Sequence, residues 1–318
     1  MQARLISRAA DDVLSVCRTA YPPEVARWLT SLVIHLPTCA RSGSLSPADL
    51  AWARSGARFR TSTGATICLP AAYTAGAREM YCRNVYLRTG LVMPSSGWVI
   101  DLGANRGLFS IWAAVTGAQA VAVDAQQGFA PLIKGLAARN NVTDHVHVEI
   151  AVASGVKLSG AAAGVIADDS RWATASHGLP ERPANLTVPA LMSSYGIDQV
   201  GLLKVDVEGG EFALLDADED LRWLERVDQV AMEIHGQHGD AAAMVGRLRG
   251  AGFSVDLRDN DGGRTAARSS QLAYAYCSRR PARLASAGSG KGSAPRLRSS
   301  YGRRAWWPAQ RPAGLWDP

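Results

Sequence analysis

At 318 residues, 47% hydrophobic and 19% charged, the chain is too apolar for a disordered protein and long enough for one large α/β domain with additions. Its net charge of +6 is carried wholly by residues 283–318, where Arg283, Lys291, Arg296, Arg298, Arg303, Arg304 and Arg311 face one acid, Asp317. Residues 1–282 are therefore balanced, so a nucleic-acid partner is not expected. The five cysteines form no CxxC pair, no apolar run reaches bilayer length, and no leader peptide is expected. A cytoplasmic protein with no membrane partner is expected.

Residues 1–56 read as an N-terminal helical extension. Val25, Trp28, Leu29, Leu32, Val33 and Leu36 recur at three- and four-residue spacing, starting after Pro22-Pro23 and expected to stop at Pro37. Residues 57–70 suggest a hairpin turning at Ser62-Thr63-Gly64, and the segment holding Arg78, Glu79, Tyr81, Tyr86 and Leu87 reads as helical. From Trp98 strands and helices alternate, the pattern of a mostly parallel sheet covered on both faces. Strands are predicted at 98–102, 120–124, 145–152, 200–206, 227–235, 253–258 and 271–278, with helices near 107–117, 128–140, 210–217 and 239–251. The turn-rich run Asp259 to Gly263 makes one of the last two strands antiparallel. Residues 154–187 have no periodicity and read as a long functional or disordered loop. The domain is expected to span 57–282, followed by a disordered basic tail at 283–318.

Four strand ends carry polar chemistry. Asp101-Leu-Gly103-Ala-Asn105-Arg-Gly107 is a strand entering a tight turn and then a helix, where Gly103 and Gly107 let backbone approach a ligand. Asp101 is placed to accept from a charged amino group. The dinucleotide fingerprint G-x-G-x-x-G needs glycine where Asn105 stands. Asp124 ends the second strand, where an acid meets the hydroxyls of a bound ribose. Lys204-Val-Asp206-Val-Glu208-Gly209-Gly210-Glu211 ends the fourth strand with three acids, and Glu233-Ile-His235 ends the fifth. Strand alternation puts Lys204 with Asp206 and Glu233 with His235 on common sides. Glu211 reads equally well as a helix N-terminal acid. Candidate proton-handling residues are Glu208, Glu233 and His235; candidate cofactor contacts are Asp101, Gly103, Asn105, Gly107, Asp124 and Asp206. Carboxylate and imidazole ligands would also suit a divalent metal, Mg or Mn, that lowers a hydroxyl pKa.

The D-x-G-A-N-x-G segment at 101–107, the K-x-D-x-E-G-x-E segment at 204–211 and Glu233-Ile-His235 together resemble the FkbM-type methyltransferases, over about residues 57–278. That resemblance implies a Rossmann-like class I methyltransferase fold: a seven-stranded, mostly parallel sheet of order 3-2-1-4-5-7-6 with one antiparallel strand. It also implies S-adenosylmethionine as cofactor and O-methylation of a small-molecule hydroxyl acceptor, a sugar, a polyketide or another secondary metabolite. The chain departs from the family in having Asp124-Ala125 for Glu-Pro, and Ser154 where an acid near the adenine is common. Two other readings are a nicotinamide-dependent oxidoreductase, against which Asn105 counts, and a non-catalytic nucleotide- or nucleic-acid-binding protein led by the tail tryptophans.

Overall fold

The structure is a computed structural model that describes residues 2–61, 63–71, 73, 76–154, 184–216, 220–260, 262–267 and 272–279. The expected tail at 283–318 and most of the expected 154–187 loop lie outside the described residues. The described residues all fall within one compact unit, residues 1–280.

Three helices open the chain: α1 (Gln2–Thr19), α2 (Pro22–Ser42) and α3 (Ser46–Trp52). Helix α2 does not stop at Pro37, as the spacing predicts, but runs one turn further. The proline removes one backbone donor, and Val33, whose carbonyl loses that partner, is 72% exposed on the solvent side. The helix ends instead at Gly43, left-handed at φ 66°, whose N–H donates to the Cys39 carbonyl.

Strands β1 (Ala57–Arg60) and β2 (Thr66–Leu69) pair antiparallel as expected. The following helical segment is a single π-turn, Arg78–Cys82, closed by the Arg83 N–H on the Arg78 carbonyl. The central sheet uses β3 (Trp98–Leu102), β4 (Gln119–Asp124), β5 (Val146–Ser154), β6 (Ala184–Thr187), β7 (Val200–Val205), β8 (Gln229–His235), β9 (Phe253–Asp259) and β10 (Leu272–Arg279). Their order is β6-β5-β4-β3-β7-β8-β10-β9, with β10 antiparallel to both its neighbours. The seven strands other than β6 reproduce the order 3-2-1-4-5-7-6. An eighth strand, β6, adds parallel to β5 at the edge; four residues, Ala-Asn-Leu-Thr, are too few to show a period in sequence.

Alternation along the strands divides the core. Val99, Ala120, Leu202, Tyr274 and Tyr276 face a layer made by the N-terminal helices, the hairpin and α4 (Leu108–Thr116). Ile100, Val121, Leu203 and Met232 face the other layer, which includes α6 (Val188–Ser194), α7 (Glu211–Leu214) and α8 (Ala241–Gly250). Helix α5 (Phe129–Arg139) packs Phe129 and Ile133 against Ala104 and Ala122. The result is a three-layer, Rossmann-like α/β domain whose strand ends carry the polar residues singled out above.

Candidate active site

The turn after β3 is built by left-handed backbone at Gly103 (φ 75°), Asn105 (φ 50°) and Gly107 (φ 80°). A Cβ at Gly103 would lie 1.7 Å from the Asp206 carbonyl oxygen, so the glycine lets this turn pack against the end of β7. At Gly107 a Cβ would meet Ile133 at 3.0 Å. Both glycines are thus demanded by protein packing as well as by any ligand. Asn105 donates its backbone N–H to Asp124 Oδ2 at 2.8 Å, and Gln126 N–H reaches Asp124 Oδ1 at 2.9 Å. One bond on each oxygen leaves the carboxylate able to accept further hydroxyls. Burial raises the Asp124 pKa, opposed by those two N–H donors.

Asp101 lies under the site and not in it. It is fully buried, accepting from Ser110 Oγ at 2.7 Å and facing Lys204 Nζ at 3.1 Å. Lys204, itself buried, donates to the Gly103 carbonyl at 2.7 Å and stands 3.5 Å from Asp206 Oδ2. Burial pulls its pKa down, but the charges of Asp101 and Asp206 more than offset this and raise it. One ammonium thereby ties the ends of β3 and β7 together.

A cavity of about 630 Å³ opens above this floor, and its lining includes Gly103, Asn105, Asp206, Glu208, Glu233 and His235. Asp101, Gly107 and Asp124 are not on its wall. Asp206 and Glu233 come from adjacent strand ends and are joined by Tyr86, whose phenol oxygen is 2.7 Å from Asp206 Oδ2 and 3.0 Å from Glu233 Oε2. Glu233, chiefly through burial and next through the Asp206 charge, is pushed up to about 8. His235 stands between two carboxylates: Nδ1 is 3.1 Å from Glu211 Oε1 and Nε2 is 3.1 Å from Glu208 Oε2. Burial would lower its pKa, yet these partners hold the imidazolium up to about 10. Glu208 adopts left-handed backbone at φ 51°, uncommon outside glycine, next to Gly209 at φ 102°.

Glu211, equally a capping acid by sequence, is fully buried; its Oε1 also accepts the His235 backbone N–H at 2.7 Å and its Oε2 the Gly209 N–H at 2.8 Å. It sets the ring orientation of His235. Tyr86 has no sequence signal, because it precedes the first sheet strand and belongs to no motif. Tyr276 fixes it by donating its phenol proton to the Val85 carbonyl. His238, close to His235 in sequence, does not line the cavity, and its ring packs over Gly209.

Asp206, Glu208 and His235 can each offer a ligand atom within 4.8 Å of the others. As arranged, both His235 nitrogens face carboxylates, which favours the doubly protonated ring, so a metal there would take the place of a ring proton. These three residues would hold a divalent metal only in exchange for that proton. The cavity fits a cationic nucleoside: it is lined with carboxylates, Asp124 retains accepting capacity beside the turn, and the volume suits a ligand of that size. Among the described residues no helix is long and apolar enough to cross a membrane.

Residues 101–255 match the family model described as the methyltransferase FkbM domain. The chain is 29% identical over 213 residues to 31-O-demethyl-FK506 methyltransferase FkbM of Streptomyces tacrolimicus, covering 56% of this chain and 80% of that one. It is 27% identical over 232 residues to AMB antimetabolite synthetase AmbE of Pseudomonas aeruginosa, covering 58% of this chain but only 11% of the synthetase. Solved structures are more distant. A TehB-like SAM-dependent methyltransferase from Corynebacterium glutamicum aligns at TM-score 0.34 with 10% identity, covering 59% of this chain and 82% of that chain. TrmK of M. capricolum, in complex with S-adenosyl-homocysteine, aligns at 0.32 with 7% identity, covering 59% and 64%. The fold assignment rests on the strand order itself. Residues 101–255 are thus similar to an FkbM methyltransferase domain.

Proposed function

We propose that this S-adenosylmethionine-dependent methyltransferase of the FkbM family methylates a hydroxyl of a small metabolite such as a sugar or polyketide. The observation that carries the reading is the convergence of Asp206, Glu208, Glu233 and His235, from the ends of adjacent strands β7 and β8, in one cavity bordered by the Gly103–Asn105 turn. The relative named for 31-O-demethyl-FK506 supports oxygen as the methylated atom.

The cofactor would supply a methyl group already activated on a sulfonium, held by Asp124 at the ribose hydroxyls and by Asp206 toward the amino group. What the chain itself must do is align the acceptor and receive its proton. Glu233 is the group for that proton: its pKa of about 8 lies near ambient pH, where a general base works best. His235 stays protonated and holds Glu208 at the cavity mouth, while Glu211 fixes the ring. The acceptor oxygen would take the methyl group as the donor's S–C bond breaks, and the Glu233 carboxylate would receive the hydroxyl proton.

Incubating the protein with trideuteromethyl-labelled cofactor and a metabolite extract, then locating the label by mass spectrometry, tests this. The label should appear as an O-methyl ether, and Glu233→Gln should slow its formation by roughly 10²–10⁴. Label on nitrogen or carbon, or a fully active Glu233→Gln, would overturn the assignment.

A further inference from the structure

Among the described residues, the cavity wall carries four carboxyl groups, Glu79, Asp206, Glu208 and Glu233, and three basic side chains, Lys204, His235 and Arg106. Two of the basic groups are spent on the protein itself. Lys204 donates to the Gly103 carbonyl at 2.7 Å and faces Asp101 at 3.1 Å and Asp206 at 3.5 Å. His235 has a carboxylate 3.1 Å from each ring nitrogen. Arg106 differs: it is half-buried, and among the described residues it forms no hydrogen bond and no ion pair. Tyr73, whose phenol feels the guanidinium charge, gives its own proton to the Leu132 carbonyl at 3.0 Å and offers Arg106 no anion. A guanidinium presents its N–H donors in a planar fork that matches a carboxylate, so this one stands open to an anion brought from outside.

The turn that carries Arg106 links the two acids assigned to the methyl donor. At one end Gly103 packs on the Asp206 carbonyl, where a Cβ would lie 1.7 Å from the oxygen. Near the other, Asn105 gives its backbone N–H to Asp124 Oδ2 at 2.8 Å. A nucleoside reaching from Asp124 at its ribose to Asp206 at its amino group therefore runs along residues 103–106. Its amino acid end bears a carboxylate on the same carbon as the ammonium. The wall acids suit the ammonium and repel the carboxylate. Arg106 is the wall cation left free, among the described residues, to balance that second charge. The first residues of α4, Leu108 and Phe109, line the same cavity and add the positive end of the helix dipole.

We infer that Arg106 docks the donor's methionine carboxylate while Asp206 takes its ammonium. The two side chains then form a clamp of opposite charges that makes an acid-lined cavity selective for a zwitterionic amino acid end. This rests on the cofactor reading above and adds a residue to it. Arg106 stands at the open position of the D-x-G-A-N-x-G segment, so the motif itself does not call for a cation there. Nucleosides that lack the carboxylate forfeit the Arg106 contact and meet its charge unopposed.

Titration calorimetry of the full-length protein with three nucleosides isolates the carboxylate. They are S-adenosylmethionine, its decarboxylated form, which keeps the ammonium and sulfonium, and methylthioadenosine, which lacks the amino acid end. Wild type should bind S-adenosylmethionine roughly tenfold or more tighter than the decarboxylated form, the worth of a hydrogen bond between charged groups. Arg106→Gln should lose that margin. In it S-adenosylmethionine weakens by the same factor, methylthioadenosine is unchanged, and the decarboxylated form binds no worse, since the guanidinium only repelled its charges. Arg106→Lys, with one charge and no fork, should fall between. Arg106 holds no protein group, so neither variant strands a buried partner, and retained methylthioadenosine binding shows the site folded. Equal wild-type affinity for S-adenosylmethionine and its decarboxylated form would overturn the inference and leave the cofactor reading intact. So would an Arg106→Gln variant that binds S-adenosylmethionine as tightly as wild type, or that loses all three ligands alike. Failure of wild type to bind any of the three would overturn both.

Discussion

Two residues at the cavity titrate in the same direction for opposite reasons. Glu233 is raised to about 8 from 4.5 because its charged form is disfavoured, and His235 to about 10 from 6.5 because its charged form is favoured. A raised folded-state pKa means stability that is complete below the unfolded value and lost as pH climbs through the folded one. Glu233 therefore withdraws stability between about 4.5 and 8, and His235 between about 6.5 and 10. Glu233→Gln stays neutral throughout, so its melting temperature relative to wild type should rise with pH and exceed it by several degrees at pH 9. A constant difference from pH 5 to pH 9 would contradict the protonated Glu233. In turnover, kcat/KM should climb through about pH 8 as Glu233 ionises and fall through about pH 10 as the His235 imidazolium is lost. At the other end of the site, Asp124→Ala should weaken S-adenosylhomocysteine binding by roughly 2–4 kcal/mol, the loss of two hydroxyl bonds to a charged acceptor. Asp206, Glu208, Glu233 and His235 were readable as one group because acids dense at apolar strand ends are costly without a role. Asp101 was not readable as buried: a strand-end acid looks the same in sequence whether it meets ligand or, as here, Lys204 and Ser110.

Elements of the sheet with five or more apolar-rich residues were legible to within a few residues, since period and burial reinforce each other there. Those whose form depends on distant partners were not. The π-turn at Arg78–Cys82 exists in a web of buried charge: Arg78 lies 2.8 Å from Asp12 on α1 and 2.8 Å from Asp49 on α3, and Trp28 of α2 also donates to Asp49. Arg83 adds a second contact to Asp12 at 3.5 Å. These bonds staple the N-terminal helices to the segment that delivers Tyr86, and Tyr81 at the end of the turn donates to the Leu108 carbonyl at 2.8 Å. No local pattern announces a contact between residues 12, 49 and 78. Arg78→Met leaves Asp12 and Asp49 buried without their cation and should cost about 3–5 kcal/mol in unfolding free energy, measured by denaturant titration. A loss below about 1 kcal/mol would mean that the helices are held by Trp28 and Trp52 packing alone.

At the scale of the whole chain, the arrangement 3-2-1-4-5-7-6 was legible through the FkbM-type segments, and the alternation of strands with helices supported it independently. The edge strand β6 and the passage of α2 beyond Pro37 were not, one being too short for a period and the other contrary to proline's usual effect. With Glu208 and Glu211 placed to hold the His235 imidazolium, EDTA should leave turnover unchanged; loss of activity restored by Mg or Mn would contradict that. The central claim is that the Gly103–Asn105 turn and the acid-lined cavity bind the methyl donor and not a dinucleotide. Titration calorimetry of the full chain with S-adenosylmethionine, S-adenosylhomocysteine and NADH tests it most directly. One-to-one binding of both S-adenosyl nucleosides with no heat from NADH is the predicted result; saturable binding of NADH with none of either S-adenosyl compound would contradict it.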